Sequence, residues 1–282
     1  MPFRDNHLIL KVMCLRKLFP NWFKPEPIPE PIPEPIHGKK KIALLFAINN
    51  YPGSQNDLQG CLNDQKRVAS KLPDFEKRLF KDSQVTIENF EAEVLKAAVE
   101  TEAGDNVIIM YSGHGTYIPD TNGDEIDGKE ECLYLYNGVL TGDRFGELLD
   151  TFRPGVKIRV FLDSCFSESA TRALNMQPNT KKGKFKVYKK FKTVKKLPHK
   201  KLLKPINWVV YSGCSEAQTS ADAFIDGSFN GAFSYYLWEC LDRNYTDKQW
   251  FAELKKCLPS QEYDQIPTLE GPEDLINQQL FT

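Results

Sequence analysis

Apolar and polar positions along this chain switch between two periods. IALLFAI (Ile42 to Ile48) is a short unbroken apolar run, as a strand buried on both faces requires, and NVIIMY (Asn106 to Tyr111), KIRVFL (Lys157 to Leu162) and INWVVY (Ile206 to Tyr211) repeat it. Between these runs the apolar spacing lengthens to that of a helix. LNDQKRVASKL (Leu62 to Leu72) is one such stretch, and Ile87 to Glu100 is another, with Ile87, Phe90, Val94, Leu95 and Ala98 in a stripe behind Thr86 as N-cap. EKRLF (Glu76 to Phe80) and CLYLY (Cys132 to Tyr136) predict further strands. Thr141 predicts a cap for a helix through Phe152, and Gly231 to Leu241 and Asp247 to Cys257 predict the last helices. Strands interleaved with helices give an α/β fold, an open and mainly parallel sheet with helices on both faces. Ligands of such sheets bind beyond the carboxyl ends of the strands, where the sequence places NNYPG, SGHG, DSCFS and SGCSEAQTSAD.

Before Lys39 the pattern breaks. PEPIPEPIPEPI (Pro25 to Ile36) forbids helix or sheet interior and favours a stiff polyproline II rod, so residues 25–38 read as a linker. It sets a short tail, residues 1–24, apart from a domain covering residues 39–282. The tail mixes Leu8, Ile9, Leu10, Phe19, Trp22 and Phe23 with Arg4, Lys11, Arg16, Lys17 and Lys24. It reads first as a tail, with a peripheral membrane-surface or partner-binding helix as the alternative.

Composition changes this picture in two places. The formal net charge of -1 hides twelve lysines and no acid between Lys181 and Lys204, an insert at about 180–205 set beside an acidic remainder. Lysines interleaved with Phe185, Tyr188 and Phe191 raise a nucleic-acid reading, but a solvated loop is the plainer one and nucleic acid is not the expected partner. The seven cysteines are odd in number and form no C-x-x-C pair, which points to a reducing compartment without disulfides or structural zinc. The run Leu8 to Leu15 is short and interrupted by Lys11, so neither a signal peptide nor a membrane span is expected, and the location expected is cytoplasmic.

Four histidines occur, His7, His37, His114 and His199, and His114 alone falls within the sheet pattern. It sits in Ser112-Gly113-His114-Gly115 just past a strand, where glycines let the backbone turn sharply. Cys165, in FLDSCFS, has the same location after a neighbouring strand. Each alone has a bland reading, a buried thiol or a hydrogen-bonded imidazole. A thiol and an imidazole on neighbouring strand ends can also converge as a nucleophile and its base.

YSGHG (Tyr111 to Gly115), GDEIDG (Gly123 to Gly128), FLDSCFS (Phe161 to Ser167), GCLND (Gly60 to Asp64) and SGCSEAQTSAD (Ser212 to Asp222) together resemble the metacaspases, type I in layout, within the caspase-like cysteine peptidases. The similarity runs from about Lys41 to Leu241. It implies a caspase-hemoglobinase fold and hydrolysis of protein or peptide substrates after Arg or Lys by a monomer. Cys165 would be the nucleophile, His114 the proton carrier, and the N–H groups of Cys165 and Gly115 the oxyanion donors. Asp64 and Asp163, with Ser112 and Cys61 beside them, would form the pocket for the basic side chain. A guanidinium or ammonium that loses its water does need carboxylates in exchange, while the bland alternative has Asp64 capping a helix and Asp163 bonding backbone.

The chain also departs from that family. The usual DSCHSG becomes DSCFSE, with Phe166 and Glu168 substituted. Calcium, typical of the family, would use aspartates following the sheet, yet one such position is Arg172 and the usual paired acids become Gly142-Asp143, so calcium dependence is expected to be weakened or absent and no cofactor is required. Asp120, Asn122, Asp124 and Glu131 fall at EF-hand positions, but the glycine is misplaced and no helix pair flanks them; a solvated acidic loop leads, with Asp120, Asp124 and Asp143 as candidate calcium contacts. The lysine-rich insert would be a substrate in cis. A caspase-like scaffold without proteolysis is the rival, to which Phe166, Glu168 and Arg172 give room.

Overall fold

The computed structural model describes residues 39–121, 123, 128–164, 207–214 and 221–281. The N-terminal tail, the proline-rich linker and the lysine-rich insert lie outside the described residues. In chain order the elements are β1 (Lys41–Ala47), α1 (Cys61–Lys71), β2 (Glu76–Lys81), α2 (Ile87–Glu100), β3 (Asn106–Ser112), β4 (Gly115–Pro119), β5 (Lys129–Leu135) and β6 (Gly138–Thr141). They continue with α3 (Gly142–Leu149), β7 (Lys157–Asp163), β8 (Trp208–Ser212), β9 (Asp222–Ile225), β10 (Ser228–Gly231), α4 (Ala232–Glu239), α5 (Asp247–Leu254), β11 (Thr268–Glu270) and α6 (Glu273–Ile276).

The main sheet has the order β11-β8-β7-β3-β1-β2 and is parallel apart from β11, which runs antiparallel to β8 at one edge. The continuous apolar runs are explained by two cores on its two faces. Ile42, Leu44 and Phe46 of β1 join Phe90 and Val94 of α2 and Phe145 and Leu148 of α3. Ala43 and Leu45, pointing the other way, join Val68 of α1, Trp238 of α4 and Trp250 of α5. Trp238 and Trp250 are fully buried with ring centroids 5.0 Å apart, and Phe161 of β7 stacks on Tyr211 of β8 at 4.8 Å. Each such ring contributes roughly 1.5–3 kcal/mol by leaving water.

The caps act where the sequence placed them. Thr86 Oγ1 accepts from Asn89 N at 3.2 Å and Thr141 Oγ1 from Arg144 N at 3.1 Å. The helix expected through Phe152 ends at Leu149, after which Thr151 N and Phe152 N bond the carbonyls three residues back, so the chain tightens instead of continuing. CLYLY does form a strand, but not one of the main sheet. As part of β5 it belongs to a three-stranded antiparallel sheet, β4-β5-β6, because β5 alternates buried and half-exposed positions and turns directly into β6. Among the described residues no helix is long and apolar enough to cross a membrane.

One charged pair lies inside the second core. Arg159 interrupts the apolar run of β7, and its Nε donates to Asp247 Oδ2 at 2.7 Å with both side chains fully buried. Tyr211 Oη donates to Asp247 Oδ1 at 2.7 Å and Arg159 Nη2 reaches Leu275 O at 3.2 Å, so β7, β8, α5 and α6 share one polar node. Removing one partner would strand the other charge without water. Asp247→Asn should therefore cost about 3–5 kcal/mol in urea unfolding. Lys248→Ala, which breaks an exposed pair with Glu273 at 2.9 Å, should cost less than about 1 kcal/mol. Equal effects of the two substitutions would contradict this account.

Candidate active site at the strand ends

Parallel register brings the carboxyl ends of three strands level: Ala47 of β1 pairs with Ser112 of β3, which pairs with Asp163 of β7. Side-chain alternation then fixes the faces. Ser112 follows Ile108 and Met110, and Asp163 follows Phe161, so both belong to the face covered by α1 and α4.

There they meet Asp64, which is completely buried in the first turn of α1. Ser112 Oγ donates to Asp64 Oδ2 at 2.6 Å, and Gly231 N, just before α4, donates to Asp64 Oδ1 at 2.8 Å. Ser234 N, in the first turn of α4, donates to Asp163 Oδ2 at 3.0 Å. Two buried carboxylates therefore converge on the N-terminus of α4, where the peptide dipoles favour negative charge and the first turn holds no acid of its own. Asp64 does not cap α1. That helix starts at Gly60, whose N donates to Asp222 Oδ1 at 2.7 Å while Gln59 N donates to Asp222 Oδ2 at 2.8 Å. Cys61 is buried as the first residue of α1.

His114 occupies the short link between β3 and β4 and is 2% exposed. Its backbone is clamped by two tyrosines of the opposite face: His114 N donates to Tyr51 Oη at 2.8 Å, and Tyr111 Oη donates to His114 O at 2.9 Å. The Tyr51 ring lies against the imidazole with centroids 4.7 Å apart. Gly113 makes this possible, since a Cβ there would fall 2.5 Å from Tyr111 Oη and 2.7 Å from Tyr51 Oη. The imidazole Nε2 is 2.6 Å from Asn56 O. A carbonyl only accepts, so Nε2 carries the proton and the neutral ring presents Nδ1 as its basic nitrogen. Gly115 opens β4 opposite Leu133.

Of the residues expected to act, His114, Gly115, Asp64, Asp163 and Ser112 lie at one edge of the sheet. Cys61, expected beside the carboxylates, instead packs into the core on the other face with Tyr51 and Tyr111, because it opens α1 about one turn before Asp64. Cys165, Phe166, Glu168, Arg172 and Asp124 lie outside the described residues. Asp163 and Ser164, the two residues before Cys165, are buried, and Cys214 Sγ approaches Ser164 O at 3.4 Å. Asp120 follows β4 and receives Gly123 N at 3.0 Å, whereas Asp143 N, in α3, donates to Glu130 Oε1 at 3.0 Å. β5 runs between the strands these two aspartates follow, and among the described residues no three carboxylate, histidine or cysteine side chains are grouped to hold a metal ion. Tyr51, Asn56, Tyr111 and Asp222 were not singled out from sequence. Asp222 could have been, as the acid that closes a strand-end motif.

The family model described as the Caspase domain matches residues 40–273. This chain belongs to the caspase-domain family. Metacaspase-1B of Aspergillus niger is 27% identical, with 82% of this chain and 64% of that protein covered. Metacaspase-1 of Pyricularia oryzae is 28% identical, covering 82% of this chain and 71% of that one. The caspase-domain chain thus spans under two thirds of the length of the Aspergillus niger protein. A solved structure from Geobacter sulfurreducens superposes with a TM-score of 0.65 at 24% identity, over 86% of this chain and 98% of that one, which shows a shared fold.

The clamp requires neutral phenols that can donate. Burial pushes Tyr51, Tyr111 and Tyr211 well above the ordinary tyrosine value, with neighbouring Tyr111 and Cys61 adding to the shift at Tyr51 and Asp247 at Tyr211. In the unfolded chain the same phenols ionise near pH ~10. Above that pH the folded state keeps protons that the unfolded state loses, so stability present below ~10 falls by about 1.4 kcal/mol per pH unit for each such phenol. Tyr111→Phe should therefore show a shallower loss of urea stability than the parent between about pH 9 and 11. Parallel curves would refute the neutral-phenol assignment.

Proposed function

We propose that this caspase-domain chain is a cysteine endopeptidase that hydrolyses peptide bonds after Arg or Lys, with Cys165 as nucleophile and His114 as proton carrier. The observation that most supports it is the pair of buried carboxylates, Asp64 and Asp163, beside Ser112 on one strand-end edge with His114. Ser112 Oγ and Gly231 N donate to Asp64, and Ser234 N donates to Asp163, fixing the direction in which each side chain faces. A guanidinium or ammonium entering beside them would exchange its water for these carboxylates.

The chemistry uses protein groups alone. The Cys165 thiol gives its proton to Nδ1 of His114, and the thiolate attacks the scissile carbonyl carbon to form a C–S bond. The oxygen gains charge facing the N–H groups of Gly115 and Cys165. As the intermediate collapses, the C–N bond breaks and the imidazolium protonates the leaving amine. A water, deprotonated by the same ring, then cleaves the thioester and returns the thiol. No step is assigned to calcium.

A fluorogenic panel with Arg, Lys or Asp at the cleavage position, run with calcium and with chelator, tests this reading. Turnover after Arg and Lys that disappears in Cys165→Ala is expected. Preference for Asp would overturn the pocket, and absence of Cys165-dependent turnover in every arm would favour a non-proteolytic scaffold. The lysine-rich insert is proposed as a substrate in cis. Incubated beside Cys165→Ala, the parent chain should yield fragments split within Thr180 to Lys204, and a parent that stays intact would remove self-processing.

A further inference from the structure

The segment Asn49 to Gly60 is held at both ends by carboxylates from elsewhere in the chain. Asn49 N and Asn50 N each donate to Asp82 Oδ1 at 2.8 Å, and Gln59 N and Gly60 N donate to Asp222. Inside the segment, Leu58 N closes onto Asn49 O at 2.8 Å and Tyr51 N onto Asp57 Oδ1 at 2.9 Å. Two groups of this braced segment reach His114: the Tyr51 side chain, by hydroxyl and by ring face, and the Asn56 carbonyl, by Nε2.

We propose that Tyr51 is a positioning residue for His114, acting with the backbone of its own segment. This deepens the peptidase reading above, and rests on it for the catalytic consequence. The backbone amide of His114 is buried, and Tyr51 Oη is its acceptor at 2.8 Å; without that oxygen the amide would remain unpaired or the link would shift to find another partner. The same hydroxyl lies 3.3 Å from Tyr111 Oη and 3.3 Å from Tyr134 O, so its proton has an acceptor and its lone pair stays available to His114 N. The ring restricts rotation of the imidazole about its own bonds. A shift of the link would lengthen the Nε2 bond to Asn56 O and release the choice of tautomer, so that Nδ1 would carry the proton for part of the time.

Tyr51→Phe keeps the ring and deletes the acceptor; Tyr51→Leu removes both. The full chain labelled with 15N reports the tautomer of His114 directly, its signals identified among the four histidines by comparison with His114→Gln. The parent should show the tautomer protonated at Nε2, and Tyr51→Phe a mixture of the two. Turnover of an Arg substrate should fall about tenfold in kcat for Tyr51→Phe and further for Tyr51→Leu, with KM nearly unchanged and the acidic limb of the pH profile displaced. A merely structural role would lower the amount of folded protein and leave the tautomer and pH profile of the folded fraction alone. The proposal is overturned if Tyr51→Phe keeps the parent tautomer, pH profile and kcat, or if the parent ring is protonated at Nδ1. Should the parent show no Cys165-dependent turnover, the peptidase reading falls and the imidazole spectra decide the positioning claim by themselves. Should Tyr51→Leu fail to fold, Tyr51→Phe, which keeps the ring, carries the test, and a parent ring protonated at Nδ1 overturns the proposal in either case.

Discussion

A carboxylate withdrawn from water must be met by hydrogen-bond donors, and at the carboxyl edge of this sheet the described donors are backbone N–H groups and the Ser112 hydroxyl, brought from distant parts of the chain. Asp64 joins α1 to Ser112 of β3 and to Gly231 before α4. Asp163 joins β7 to α4, and Asp222 joins β9 to the turn that starts α1. Left unmet, each buried charge would cost several kcal/mol, so the elements must approach closely enough to meet it. At Gly60 the approach is so close that a Cβ would strike both the Asp222 carboxylate and the backbone of Asn230. The residues that hold the edge together are therefore also the ones that give it negative charge.

That coupling ties the described loops of the edge to the strands beneath them. The strands supply level ends through register, and the two hydrophobic cores hold the strands from either face. Among the described links, the segment 49–60 closes on the carboxylates of Asp82 and Asp222, and the link at His114 on the Tyr51 hydroxyl. The β4-β5-β6 sheet adds a further brace. Because β4 begins one residue after His114, and Tyr134 N of β5 donates to His114 O at 2.9 Å, the link that carries the imidazole is fixed by sheets on both of its sides.

Much of this was legible in the sequence where burial dictates pattern. The strands at Ile42, Asn106 and Lys157 announce themselves because a parallel sheet covered on both faces makes its strands nearly continuous apolar runs, with Arg159 the interior exception, and Thr86 marks the start of α2 because an exposed amide needs a side-chain acceptor. Asp64, Ser112 and Asp163 were legible as a group through resemblance, but the donors that hold them were not. Gly231 and Ser234 act through backbone N–H groups, which have no residue-specific signal. β4, β6, β9 and β10 were missed for a related reason: strands of four or five residues at the sheet's margin carry too few positions to establish a period. CLYLY misled because its Leu and Tyr read as a buried strand, whereas Lys129, Glu131 and Tyr134 show that β5 is only half covered. Tyr51 lies in the strand-end peptide NNYPG and Tyr111 at the end of a buried strand, and the contacts of their hydroxyls form only once the chain has folded around Gly113.

The two faces of the sheet meet at His114 with different electrostatics. On the α1 and α4 side stand the buried carboxyls of Asp64 and Asp163, which accept from Ser112 Oγ, Gly231 N and Ser234 N. On the α2 and α3 side stand Tyr51 and Tyr111, polar groups that burial keeps neutral. The contacts described on His114 from this side come from phenols and a peptide carbonyl, groups that carry no charge near neutral pH. Had carboxylates clamped it instead, its affinity for a proton would rise and its hydrogen bonds would strengthen with each protonation, tying geometry to pH. Phenol hydroxyls and a peptide carbonyl avoid that coupling. The carboxylates of Asp64 and Asp163 lie on one side of the strand ends, while Tyr51 and Asn56 O touch His114 from the other.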